Sequence, residues 1–189
     1  MRRRVERASF RRGAWLEWFV VELALETGLR VSEMAGLACR DLMIGFEQPG
    51  VLVRRGKGGK PRFVKVRSEF CRKAEDFLTW KQAVGEPAED VSPVFFSSKT
   101  GGNLTTRAIQ KVFERACRRS GVEGHSIHHC RHTYATALLK ASRGNLRVVQ
   151  KQLGHARITT TQIYADVFDE DMAVAVDRLY APRGQRSRS

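Results

Sequence analysis

Five short segments carry side chains that together could do chemistry on a phosphate ester. Arg30 lies at a helix junction within Thr27-Gly28-Leu29-Arg30-Val31-Ser32-Glu33. Lys57 sits in a Gly-rich turn, Gly56-Lys57-Gly58. His128 and Arg131 fall one turn apart at the start of a helix in His128-His129-Cys130-Arg131-His132, so they can share a face. Leu153-Gly154-His155 puts a histidine at a helix end, and Tyr164 follows inside Thr159-Thr160-Thr161-Gln162-Ile163-Tyr164. A phosphodiester under attack gathers negative charge on its oxygens. Cleaving it needs fixed cations, an in-line nucleophile and a proton donor for the leaving oxygen. Arginine suits the clamp because its planar fork grips two oxygens and keeps its charge. A tyrosine of pKa about 10 is a weak nucleophile at pH 7 unless cations or a base assist it. Each residue also has a plainer reading. Tyr164 could be a core aromatic, and Arg30 could pair with Glu33 or Glu26. Lys57 could be an exposed turn lysine, with Lys60 competing for its role.

The overall charge fits a phosphate-rich partner. Lys and Arg number 34 against 20 Asp and Glu in 189 residues, a net charge of +14. Such an excess favours a polyanion, nucleic acid before anionic membrane. The charge is also segregated: residues 54–73 hold nine basic side chains and one acidic, whereas residues 166–177 hold five acidic and none basic. Arg54, Arg55, Lys60 and Arg62 on the hairpin, with Arg107, Lys111 and Arg115 on a later helix, are the candidate DNA contacts. No apolar run reaches the roughly 18 residues of a membrane span, and no apolar stretch follows the basic N-terminus as a secretory signal requires. A cytoplasmic protein is expected. Cys39, Cys71, Cys117 and Cys130 lack the paired spacing of a zinc site and read as reduced thiols. His125, His128, His129 and His132 have helical spacing but no carboxylate or cysteine pair to complete a metal site, so neither metal nor cofactor is expected. The Gly-rich turn is no nucleotide loop, because Pro61 follows Lys60 and the segment leads into a strand.

The elements that must carry these groups follow from periodicity. Trp15, Phe19 and Leu23 mark a helix ending near Gly28, and a second short helix follows over Ser32–Leu37. Val51–Arg55 and Arg62–Val66 form an antiparallel hairpin, with Val94–Phe96 as a candidate third strand and residues 97–103 as a loop. Phe70–Trp80 is helical. Ile109, Val112, Phe113 and Ala116 make one stripe of an amphipathic helix over 105–119 whose other side is basic. Arg131–Ala141 is a helix, and Asn145 caps another that Gly154 stops. Two further helices are expected, one beginning at Thr159–Tyr164 and one over Phe168–Leu179. The fold class is α+β, mostly helical, with helices around a small three-stranded antiparallel sheet.

In this order and spacing the segments resemble the tyrosine recombinases, or phage integrase family. Its pattern is an arginine in T-G-L-R-x-S-E, a hairpin lysine, H-x-x-R-H, L-G-H and T-T-x-x-Y. The resemblance implies the catalytic fold of that family over residues 14–168, after a basic arm at 1–13 and before a helix at 169–182 and a disordered tail at 183–189. It implies that Tyr164 attacks the scissile phosphate to form a 3′-phosphotyrosyl bond and release a 5′-hydroxyl. Arg30 and Arg131 would hold the non-bridging oxygens, and Lys57 would protonate the leaving oxygen. His128 would act as general base or acid, and His155 would hydrogen-bond the phosphate. It implies a metal- and ATP-independent site-specific recombinase acting on double-stranded DNA. The active form would be a homotetramer on two sites, monomeric without DNA, with residues 168–179 docking on a neighbouring protomer or on their own. A type IB topoisomerase and a catalytically silent DNA-binding fragment are the alternatives. His129 and Cys130 depart from the Asp and Leu usual in the family. Only about 13 residues precede the first motif-bearing helix where a DNA-binding domain is usual, so the chain is expected to be a fragment or a short member.

Overall fold

The computed structural model describes residues 2–56 and 59–154, with side chains from residue 12 onward. Helix α1 (Arg2–Thr27) begins well before the apolar spacing that marks it in the sequence. Phe19, Val20, Leu23 and Ala24 are fully buried, so its last turns lie in the core. The helix stops because Gly28 takes φ +60, a left-handed conformation that costs a glycine little. A short helix α2 (Val31–Ala35) follows. Helix α3 (Ser68–Ala83) buries Phe70, Ala74 and Phe77 against α1. Phe19 stacks on Phe77 with ring centroids 4.0 Å apart, and on Phe70 at 6.1 Å. Lys81 is wholly buried, but its ammonium donates to Glu86 at 3.2 Å, and Glu86 also accepts from Arg12 at 2.6 Å. A buried cation is tolerable when paired in this way.

The sheet runs in the order β1 (Leu42–Met43), β2 (Gly50–Val53), β3 (Arg62–Lys65), antiparallel throughout. Val51 faces Val64 and Val53 faces Arg62, so these four share one face. The hairpin matches the sequence reading, but the third strand does not. That strand is β1, whose two residues are too short for alternation to reveal. Val94 and Phe95 are instead both buried, as a continuous apolar pair plugging the core. Only Phe96–Ser97 (β4) pairs, with Gly102–Asn103 (β5), inside the segment read as a loop.

Three helices complete the described fold. Thr105 caps α4 (Thr106–Arg119) by accepting from Ala108 N–H, and Ile109, Val112 and Phe113 turn inward. Helix α5 (Ile127–Ala141) packs on α1 and on α6 (Leu146–Leu153). Asn145 caps α6 through the N–H groups of Arg147 and Val148, and Gly154, at φ +65, ends it. Ala135, Leu139, Val149 and Leu153 form a second, smaller buried cluster between α5 and α6. Among the described residues no helix is long and apolar enough to cross a membrane. The expected helices at 159–164 and 168–179 and the 183–189 tail lie outside the described residues.

Candidate active site

Arg131 sits on the second turn of α5 and is only 6% exposed. One guanidinium N–H donates to the Gly28 carbonyl at 2.6 Å and another to the Leu153 carbonyl at 2.8 Å. Three elements therefore meet at this side chain: the end of α1, the start of α5 and the end of α6. Gly28 is needed for space as well as for its φ. A Cβ there would lie 2.7 Å from the Tyr134 ring and 2.9 Å from Leu153 Cδ2. The last carbonyls of a helix lack internal partners, so an arginine donating to them suits both the missing bonds and the negative end of the helix dipole.

Arg30 follows two residues after Gly28, as the residue preceding α2. Its backbone N–H donates to Glu33 Oε2 at 2.8 Å, so the Glu33 side chain satisfies a free donor at the helix start. Its side chain reaches Glu33 Oε1 at 2.9 Å and is 26% exposed. Glu33 is also gripped by Arg62, with Nη1 at 2.7 Å from Oε1 and Nη2 at 2.9 Å from Oε2. The Glu33 side chain is 3% exposed. Burial pushes its carboxyl up, but the Arg62 hydrogen bonds, the Arg30 N–H and the two cationic charges outweigh it and hold it below the ordinary value. Two arginines thus share one buried carboxylate with a net positive charge, and Arg62 and Arg131 take the adjacent Gln152 and Leu153 carbonyls.

Arg62, one of the expected DNA contacts, has its side chain only 10% exposed. Alternation on β3 puts it on the face of buried Val64, where its guanidinium meets Glu33 and donates from Nε to Gln152 O at 3.2 Å. That parity was the signal available in the sequence. Gln152 is another residue the sequence reading passed over. Its side-chain oxygen accepts from Lys65 N–H at 3.2 Å, and its amide donates to Lys65 O at 2.7 Å and to the Tyr134 hydroxyl at 2.9 Å, clamping α6 to β3. Burial raises the Tyr134 phenol, partly offset by the Gln152 donor.

The remaining candidates are distributed around this centre. His128 is exposed on the first turn of α5, one turn before Arg131. His129 accepts at Nδ1 from Ser126 N–H at 3.0 Å, so at this position it caps the helix that brings His128 and Arg131. Among the described residues no group of three or more His, Cys, Asp or Glu gathers to hold a metal. Burial raises all four thiols, Cys130 to about 11, which leaves them protonated and unreactive. Arg55, Lys60, Arg107 and Lys111 are exposed. Arg54 pairs with buried Asp41 at 2.6 Å and Arg115 with buried Glu17 at 3.0 Å, yet both side chains remain about half exposed, at 48% and 45%. The hairpin arms are in place and Gly56 N–H closes the tip on Lys60 O at 3.1 Å. Lys57, His155 and Tyr164 lie outside the described residues.

A sequence model described as the phage integrase family matches residues 9–171. The tyrosine recombinase XerC of Actinobacillus pleuropneumoniae serotype 7 (strain AP76) is 36% identical over 170 residues, 89% of this chain and 53% of the relative. The tyrosine recombinase XerD of Caulobacter vibrioides (strain ATCC 19089 / CIP 103742 / CB 15) is 34% identical over 88% of this chain and 54% of its own. The chain thus spans about half the length of the curated relatives it matches. Among solved structures, the XerH site-specific recombinase bound to its difH substrate in a pre-cleavage complex superposes with a TM-score of 0.66 at 26% identity, covering 87% of this chain and 46% of that one.

Proposed function

The chain belongs to the phage integrase family, and we propose that it carries the catalytic centre of a site-specific DNA recombinase that cuts and rejoins strands through Tyr164. The observation that supports this most is that Arg131 ties the end of α1, two residues before Arg30, to the end of α6, two residues before His155 in the sequence. Fixed guanidinium groups in a largely buried setting stabilise charge that develops on a phosphate without reorganising at the moment of reaction. In the step envisaged, the Tyr164 oxygen bonds to phosphorus as the P–O5′ bond breaks. The phenol proton leaves to His128 or water, and Lys57 supplies a proton to the departing 5′-oxygen. Arg30 and Arg131 hold the non-bridging oxygens and His155 adds a hydrogen bond. Rejoining reverses each transfer, so the phosphotyrosyl bond conserves the energy and no ATP is consumed. The partner is double-stranded DNA, reached by the exposed cations of the hairpin and α4. The assembly is a homotetramer on two sites, and the setting is the cytoplasm of a bacterium or of the host of a phage or mobile element. The topoisomerase and silent-fragment alternatives gain no support from the recombinase relatives.

The test mixes the chain with a labelled library of randomised duplexes at low salt in EDTA, stops the reaction with SDS and looks for protein-linked DNA. Low salt matters because phosphate contacts weaken steeply as salt rises. The expected result is an adduct with the wild type and none with Tyr164→Phe. An adduct from the phenylalanine variant would move the nucleophile elsewhere.

A further inference from the structure

We propose that Arg62 is a positioning residue that locks the Arg30 segment, the end of α6 and the lysine-bearing hairpin into one geometry. The inference rests on the recombinase reading above and concerns a side chain whose hydrogen bonds go to Glu33 and to the Gln152 carbonyl. Arg62 is 10% exposed and Arg30 is 26% exposed, so of the two cations on Glu33 it is Arg30 that is open to a ligand.

Three observations place Arg62 at a junction. Its two terminal nitrogens take both oxygens of Glu33, while Arg30 shares only one of them by its side chain. Its Nε donates to Gln152 O, next to the Leu153 carbonyl that Arg131 takes. Its aliphatic portion lies against Gly154, where an added Cβ would fall 2.6 Å from Arg62 Cδ. Arg62 also begins β3, the return strand of the hairpin that bears Lys57.

The consequence follows from counting donors. With Arg62 present, the Glu33 charge is met mainly by a cation that does no chemistry. Arg30 then keeps N–H groups for a phosphate oxygen. With Arg62 removed, the buried carboxylate would have Arg30 as its one remaining cation in this cluster. It would draw that guanidinium onto both oxygens and away from the substrate. The α6 end, and His155 beyond it, would lose a tether at the same time. Lysine cannot replace the fork, because one ammonium cannot serve a bidentate carboxylate and a carbonyl on opposite sides.

The experiment uses the full chain as wild type, Arg62→Met and Arg62→Lys. The substrate is a fixed duplex recovered from the randomised library by covalent capture with the wild type. Arg62→Met is expected to lower the single-turnover cleavage rate at saturating DNA by about 10²-fold, the scale of a small misplacement of catalytic groups. Half-saturating DNA concentration should move by less than a few-fold. Carbon NMR of the Glu33 carboxyl should show its titration midpoint raised in Arg62→Met and restored towards wild type in Arg62→Lys. The lysine variant should still cleave about 10-fold slowly, since it lacks the second bond. A merely structural role would lower the melting temperature and leave the saturated cleavage rate within a few-fold of the wild type wherever the variant stays folded, and that overturns the proposal. Weakened DNA binding with an unchanged saturated rate also overturns it, by returning Arg62 to the DNA face. If Arg62→Met does not fold, Arg62→Lys alone decides: a wild-type rate overturns the proposal, a slow rate with a low Glu33 midpoint supports it. If the wild type forms no adduct, the recombinase reading fails, while the Glu33 midpoints still decide whether Arg62 sets the state of this carboxylate.

Discussion

Around Phe19, stacked rings join helix α1 to helix α3, and the Phe95 ring of the Val94–Phe95 plug packs at a tilt on Phe19 and Phe77. Around Leu153, α5 and α6 share Ala135, Leu139, Val149 and Leu153 as the buried apolar side chains among the described residues. The first region is held by non-directional burial, about 1.5–3 kcal/mol for each large side chain. The second buries one alanine, one valine and two leucines among the described residues, with no aromatic ring fully buried. The eight-residue α6 is instead fastened by Arg131 and Arg62 on its last carbonyls and by Gln152 on the Lys65 backbone. Hydrogen bonds add less stability each than a buried phenylalanine, but they fix direction. The difference associates stability with the first region and geometry with the second, where Arg131 and Arg62 meet the last carbonyls of α6.

The largest effect should come from the aromatic region. Phe19→Ala leaves a hole among Phe70, Phe77 and Phe95 and is expected to cost about 3–5 kcal/mol in urea unfolding. Hydrogen exchange should accelerate across α1 and α3 together, because the loss is global. A cost near 1 kcal/mol would mean the rings collapse into the space, and the contrast between the regions would shrink.

Gly28→Ala attacks the boundary between them. The substitution forces an alanine to φ +60 and sets its Cβ 2.7 Å from the Tyr134 ring. The left-handed strain and the overpacking together should cost about 2–4 kcal/mol. Because Gly28 O is an Arg131 acceptor, the cleavage rate should also fall at temperatures where the variant stays folded. A variant that loses stability and keeps its rate would show that Arg131 is placed by α6 alone.

Much of this arrangement was legible in the sequence, and what was not has identifiable causes. The amphipathic stripe of α4, the Asn145 cap and the Gly28 and Gly154 stops read directly, since each is a local signal with a local cause. Strand β1 did not, because two residues carry no period. Val94 and Phe95 looked like a strand because two adjacent apolar residues do not distinguish a strand from a plug. Arg62 is expected as a DNA contact from its place on the basic hairpin, and its burial is not part of that expectation. Its parity with Val64 pointed inward, but only the long-range arrival of Glu33 makes that position habitable for a charge. The same holds for Glu33, whose role as a shared counter-ion depends on a residue 29 positions away.

Gln152→Ala gives the smallest and sharpest test of the comparison. The change removes two bonds to the Lys65 backbone and one to the Tyr134 hydroxyl while leaving Val149 and Leu153 in place. Both Lys65 groups are near solvent and can turn to water, so the global cost should be only about 1 kcal/mol. The local cost should be disproportionate. Amides of α6 should exchange faster while those of α1 and α3 stay as in the wild type, because a region with few buried contacts opens independently. The Tyr134 phenol should titrate higher still, since it loses a donor that favours its ionised form and remains buried. Unchanged α6 exchange would show that four apolar side chains suffice to seat this helix. Its polar fastenings would then be a consequence of the geometry rather than its cause.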